Sequence, residues 1–213
     1  MLERDRRLVR MTRGRYHAAH LSTAEGLEVI RQAKAEGLRM TAETAPPYFA
    51  LNESAVDEYR TFAKVSPPLR AEHDRLAVVQ ALRDGTIDVI ASDHSPHDQE
   101  SKRIPFSQAE SGMAGVETLL PLSLELYHDR HLPLLDLLRK LTVAPAELLG
   151  LPLGTLGIGK PADLVVFDLE RPFRIDVKNS TGKSKNAPYE GRPAQGRVLM
   201  TVVDGRIVFQ AVD

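Results

Sequence analysis

Cysteine is missing altogether from the 213 residues. The chain therefore makes no disulfide and offers no thiolate, so any zinc it binds must use His, Asp or Glu. Long apolar runs are missing too. None approaches the roughly 20 residues of a bilayer-spanning helix, and Met1-Leu2-Glu3-Arg4-Asp5 is too charged to begin a secretion signal. Nor does charge of one sign prevail: 28 Lys and Arg stand against 29 Asp and Glu, a formal net charge of -1. That balance gives neither nucleic acid nor an acidic membrane a general reason to bind. The cytoplasm is the default compartment. What is present, 42% apolar and 27% charged residues, suits a globular chain with one sizeable core and a small second lobe.

The chain is organised around Ile87-Asp88-Val89-Ile90-Ala91-Ser92-Asp93-His94-Ser95-Pro96-His97. A β-branched run too short for a helix ends in an acid and two histidines, as a buried strand does when it delivers polar groups to the rim of a sheet or barrel. Upstream, charged 2–12 reads as an exposed helix with Leu8, Val9 and Met11 as its buried contacts. It opens without a cap, as an internal point of a longer fold would. Tyr16 to His20 reads as a strand. Ser22 and Glu25 form a capping box for a helix over 23–36, with Leu27, Ile30 and Ala33 on one face and Gly37 as its stop. A strand over 39–44 follows, so the order strand, helix, strand predicts a parallel pair with a right-handed crossover. Irregular chain with one helical turn near 53–59 then leads to a helix over 72–83 and the central strand. This alternation defines an α/β fold with a parallel sheet.

Beyond His97 the spacing predicts a polar loop over 98–111, a helix over 116–127 that Pro121 kinks or starts, a leucine-lined helix over 132–141, and a short one ending at Gly150. The composition then changes, and 163–168, 197–203 and 206–210 read as strands. Asp204-Gly205 joins the last two as a hairpin turn. Residues 179–193, rich in Lys, Ser, Gly and Pro, read as a surface loop.

Strand C-termini of a parallel α/β sheet open on one face, so His20 and Asp93 are expected to converge. One imidazole and one carboxylate suit zinc or a similar divalent ion. His17, at an odd offset from His20, is expected on the opposite face as a packed or surface residue. Glu43 has two readings, an interior ion pair or a site carboxylate. His94 likewise is either a solvated loop histidine or part of the site, whereas His73, His128 and His131 read as solvated. Asp163 reads as a turn former that bonds nearby amides rather than as a metal ligand.

His20-Leu21-Ser22-Thr23-Ala24, Lys64-Val65-Ser66-Pro67-Pro68-Leu69-Arg70, Ser92-Asp93-His94-Ser95-Pro96-His97 and Gly115-Val116-Glu117-Thr118 stand in an order and spacing that resembles the cyclic amidohydrolases. Among these the chain looks most like the dihydroorotases of the class I, bacterial type. Lys102-Arg103-Ile104-Pro105-Phe106 and Gly159-Lys160-Pro161-Ala162-Asp163-Leu164 extend the likeness. The resemblance implies a (β/α)8 TIM-type barrel with a binuclear zinc centre that interconverts N-carbamoyl-L-aspartate and dihydroorotate. On that basis His20 matches a metal ligand after strand six. Asp93 matches the strand-eight aspartate that binds metal and carries the reaction's proton. His97 matches the histidine that holds the substrate carboxylate, and Ser66, Ser111 and Gly112 match segments that meet the substrate. Ser66 and Pro47-Tyr48 stand where many dihydroorotases have asparagine and two histidines, a pattern that resembles hydantoinases and allantoinases.

The family's strand-one His-x-His-x-Arg, strand-four bridging carboxylate and strand-five His have no counterpart in this sequence. The expectation is therefore the C-terminal half of the barrel over 1–152 and the C-terminal part of a small β-domain over 153–213, inactive alone. The expected partners are the small-molecule substrate and the missing half of the barrel, with a second copy or aspartate transcarbamoylase as a further one. The alternatives are a hydantoinase- or allantoinase-type amidase, and a non-catalytic homologue that scaffolds aspartate transcarbamoylase.

Overall fold

The computed structural model describes residues 1–211, and the elements follow the α/β alternation. Two compact units result: Met1–Leu119 with Asp176–Glu190, and Leu120–Ile175 with Gly191–Asp213. The sequence boundary at 152/153 falls inside the second unit, because the helices after residue 119 group with the C-terminal strands. Within 179–193, read as a surface loop, Asn186, Ala187 and Tyr189 are instead buried.

In the first unit, α1 (Leu2–Thr12), β1 (Tyr16–Ala18), α2 (Ala24–Ala35), β2 (Met40–Thr44), α3 (Pro46–Ala50), α4 (Glu72–Arg83) and β3 (Val89–Ile90) follow one another. The strands form a parallel sheet in the order β1-β2-β3, with Tyr16 opposite Met40 and Thr44 opposite Ile90. Met40, Ala42 and Thr44 face inward with Leu27, Ile30 and Ala33 of α2 and Val78, Ala81 and Leu82 of α4. Thr41 and Glu43 alternate to the other, half-open face. Asp88 latches the sheet: its carboxylate accepts from the Ala42 amide at 2.8 Å and from Lys34 Nζ at 2.8 Å.

Two helix details differ from the sequence reading. The N-cap of α2 is Thr23, whose hydroxyl accepts from the Gly26 amide at 3.1 Å, while Ser22 is buried. The Ala24 amide is satisfied by Asp74 of α4 at 2.8 Å, a partner that local spacing cannot reveal. In α1 the buried residues are Asp5 and Val9, and Leu8 and Met11 are exposed. Asp5 goes inward because the Tyr16 hydroxyl donates to it at 2.8 Å and Arg4 pairs with it at 2.7 Å.

The second unit holds most of α5 (Leu119–His128), then α6 (Leu134–Leu141), α7 (Val143–Leu149) and the antiparallel sheet β4-β5-β6 (Leu164–Arg174, Pro193–Val203, Arg206–Gln210). Pro121 lies in the first turn of α5, where its missing N–H costs nothing. Only Leu137 of α6 is buried, so its leucines do not all line an interior. Gly196 on β5 has φ +98°, and a Cβ there would collide with Leu124 of α5. Asp204 and Gly205 both have positive φ, as a two-residue hairpin of the primed type requires. Asp163 accepts from the Asp204 amide at 2.8 Å, so it holds a distant turn rather than a neighbouring one. No helix among the described residues is long and apolar enough to cross a membrane.

Candidate functional site

The C-terminal ends of the three parallel strands bring titratable side chains together. His20 follows β1 with φ 56° and Asp93 follows β3 with φ 45°, both in the left-handed region that L-residues enter at a cost of roughly 1–2 kcal/mol. His20 Nε2 lies 3.8 Å from Asp93 Oδ1, and its Nδ1 lies 3.4 Å from Glu43 Oε1 on β2. The expected convergence of His20 and Asp93 is therefore present, and Glu43 joins them.

His17 corrects the alternation argument. Its Nε2 is 3.2 Å from Glu43 Oε2, while its Nδ1 meets the Thr41 hydroxyl at 2.8 Å. One carboxylate thus faces both histidines. The period-two rule holds only while the strand lasts, and β1 ends at Ala18. The positive φ at His20 then turns its side chain back to the side that His17 occupies.

Burial pushes the Asp93 carboxyl above the ordinary range, and Glu43 adds to this. The His20 ring and a hydroxyl from Tyr48 oppose it. Tyr48 is buried, and its hydroxyl lies 3.1 Å from Pro67 O and 3.5 Å from Asp93 Oδ2. Burial, followed by the charge of Asp93, raises the phenol well above its ordinary value. Tyr48 thereby joins the segment containing exposed Ser66 to Asp93.

His97 belongs to an adjoining cluster. Its Nε2 meets Ser111 O at 3.0 Å, and its amide donates to Asn186 Oδ1 at 3.2 Å. The Gly112 amide donates to Lys64 O at 2.9 Å, two residues before Ser66. Gly112 has φ +130°, and a Cβ there would strike Ser95 and stand 3.3 Å from His97 Nε2, so this approach requires glycine. His94 is exposed and uses Nδ1 as an acceptor for the Gly115 and Val116 amides, at 3.1 and 3.4 Å. It straps that loop.

His20 Nδ1 is buried without a hydrogen bond, since Glu43 lies just beyond good geometry. An orphaned imidazole nitrogen beside two carboxylates has the donor chemistry of a zinc site. Among the described residues, however, no group of three or more His, Cys, Asp or Glu is arranged to hold a metal ion. His20 and Asp93 fit two positions of a metal shell and do not complete one.

Sequence reasoning gave Tyr48, Lys102 and Asn186 no role in the site. Glu43 had a signal in its position at the end of a predicted strand. Asn186 had none, because 89 residues separate it from His97.

The model of the Amidohydrolase family matches residues 8–208. A dihydroorotase of Anaplasma phagocytophilum is 51% identical over 212 residues, which cover 99% of this chain and 47% of that protein. A dihydroorotase of Syntrophotalea carbinolica is 45% identical, covering 99% of this chain and 49% of its own. Among solved structures, an L-hydantoinase (dihydropyrimidinase) from Arthrobacter aurescens superposes with TM-score 0.93 at 30% identity, over 100% of this chain and 48% of that one. A D-hydantoinase from Thermus sp. gives 0.92 at 26% identity, with 98% and 48% covered. The chain spans about half the length of the curated relatives it matches. With three neighbouring strand ends delivering His20, Glu43 and Asp93 and a family match over nearly its whole length, this chain belongs to the amidohydrolase family.

Proposed function

We propose that this chain supplies the C-terminal half of a dihydroorotase, in which β1, β2 and β3 are strands six to eight of a (β/α)8 barrel. The observation that carries the reading is the meeting of His20, Glu43 and Asp93 at successive parallel strand ends. Relatives bearing the dihydroorotase name at 43–51% identity favour it over a hydantoinase-type amidase, for which the structural likeness stands at 30% identity or less.

In this reading His20 and Asp93 would hold zinc, and the remaining ligands of a binuclear centre would come from the other half of the barrel. Zinc held there would supply polarisation of the ring amide carbonyl and acidification of the attacking water. Asp93 takes a proton from that water and delivers it to the leaving ring nitrogen, which opens dihydroorotate to N-carbamoyl-L-aspartate. The reverse passage closes the ring and releases water. His97 holds the substrate's spectator carboxylate. Ser66 and the Ser111-Gly112 loop meet the substrate.

The test pairs this chain with a polypeptide carrying barrel strands one to five and measures ring opening and bound zinc. Asp93→Asn lowers the rate by about 10²–10⁴-fold and weakens zinc binding. His97→Asn keeps zinc and loses efficiency chiefly in KM. Ring opening by this chain alone above a protein-free blank would overturn the two-half reading, and zinc loss in His97→Asn would move His97 into the metal shell.

A further inference from the structure

Lys102 lies in a 3-10 turn (Glu100–Lys102), and its side chain is completely buried. An ammonium in that position is costly unless its protons are used. Here they go to three backbone carbonyls: Glu110 O at 2.7 Å, Gly112 O at 3.0 Å and Lys64 O at 3.4 Å. Two of these carbonyls bracket Ser111, whose own carbonyl is the one that His97 Nε2 reaches at 3.0 Å. A carbonyl only accepts, so this contact keeps a His97 proton on Nε2; Nδ1 is then an acceptor in the neutral ring and a donor, able to meet an anion, only in the imidazolium.

Asn186, also completely buried, holds the same turn from the other side. Its Nδ2 donates to Gly112 O at 3.3 Å and to Ser95 O at 2.9 Å, and its Oδ1 accepts the His97 amide at 3.2 Å. Lys64 secures the outer part of the loop, with Nζ 2.7 Å from Phe106 O and 2.6 Å from Ala109 O. An apolar side chain would fill the position of Lys102 at lower cost, since buried charge is a poor source of stability. The ammonium instead dictates which way two carbonyls point. Burial, reinforced by the charge of Lys64, pulls Lys102 down to about 8 against the weaker opposing effect of Glu110.

We propose that Lys102 is a positioning residue of the site: its ammonium grips the carbonyls on either side of Ser111, so that Ser111 O holds the His97 Nε2–H and fixes the orientation and neutral tautomer of the ring, whose Nδ1–H meets an anionic substrate group once the ring is protonated. The identity of that group rests on the dihydroorotase reading, whereas the positioning does not.

Long-range 1H–15N NMR of the 213-residue chain labelled at histidine reads the tautomer directly. The native chain is expected to show His97 protonated at Nε2, with a slowly exchanging Gly112 amide. In Lys102→Met, which keeps length and packing, His97 becomes a mixture of tautomers and Gly112 exchange accelerates at least tenfold. Should that variant fail to fold, Asn186→Ala removes the second hold and is expected to accelerate the same amide. A folded Lys102→Met chain with the native His97 tautomer and native Gly112 exchange overturns the proposal, as does native exchange in Asn186→Ala where only that variant folds. No substrate enters this measurement. Failure of the paired halves to open dihydroorotate, with these native signals intact, would count against the dihydroorotase reading alone.

Discussion

The two sheets of this chain are both rich in β-branched residues, yet they meet solvent very differently. In the first unit Met40, Ala42, Val89 and Ile90 are buried, with α2 and α4 supplying Leu27, Ile30, Val78 and Leu82 to the same core. In the second, Val165, Val166, Ile207, Val208 and Phe209 stay exposed, and every residue of β6 is open. Strand propensity made both sheets, but only the first has crossover helices to cover it. The comparison teaches that apolar alternation identifies a strand without identifying what packs on it. It also separates two kinds of apolar residue, those that stabilise this chain and those left available to something else.

The strongest way to test the contrast is to cut into the covered side. Leu82 is fully buried, and Leu82→Ala is expected to cost about 2–5 kcal/mol in chemical denaturation. A loss below about 1 kcal/mol would mean that the helix–sheet core of the first unit is loosely packed.

A second measurement uses the charge inside the first unit. Burial lowers Lys102 to about 8 in the fold from its ordinary 10.5. Between those values the unfolded chain binds more protons, so this group makes stability rise with pH across the window. Below about pH 8 its full cost is present. At about 1.36 kcal/mol per pKa unit the rise is at most on the order of 3 kcal/mol, and it is read as the difference between the native chain and Lys102→Met. Parallel pH profiles for the two chains would show that the ammonium is solvated.

The smallest effect belongs to the open sheet. Ile207 is 60% exposed, and Ile207→Ser is expected to change the stability of this chain by no more than about 0.5 kcal/mol. A loss comparable to that of Leu82→Ala would break the comparison, because β6 would then be covered in solution.

Much of the fold was legible from local pattern. The bounds of α1, α4 and β6 agree with the periodicity, and the parallel β1-β2 pair follows from strand, helix, strand order. The primed turn at Asp204-Gly205 needs only its own two residues. Where the reading departed from the structure, the partner was distant in sequence: Asp74 on the Ala24 amide, Tyr16 on Asp5, Asn186 on His97.

The same division runs through the site. Chain chemistry by itself determined that His20 and Asp93 stand at strand ends and that any metal must take nitrogen and oxygen donors. Only the tertiary structure decided that His17 shares Glu43 with His20, that Tyr48 reaches Asp93, and that Lys102 and Asn186 hold the loop around Ser111. Periodicity reports which face of its own element a residue occupies. It is blind to a left-handed residue that reverses the face, as at His20, and to long side chains that cross between segments, as at Lys102.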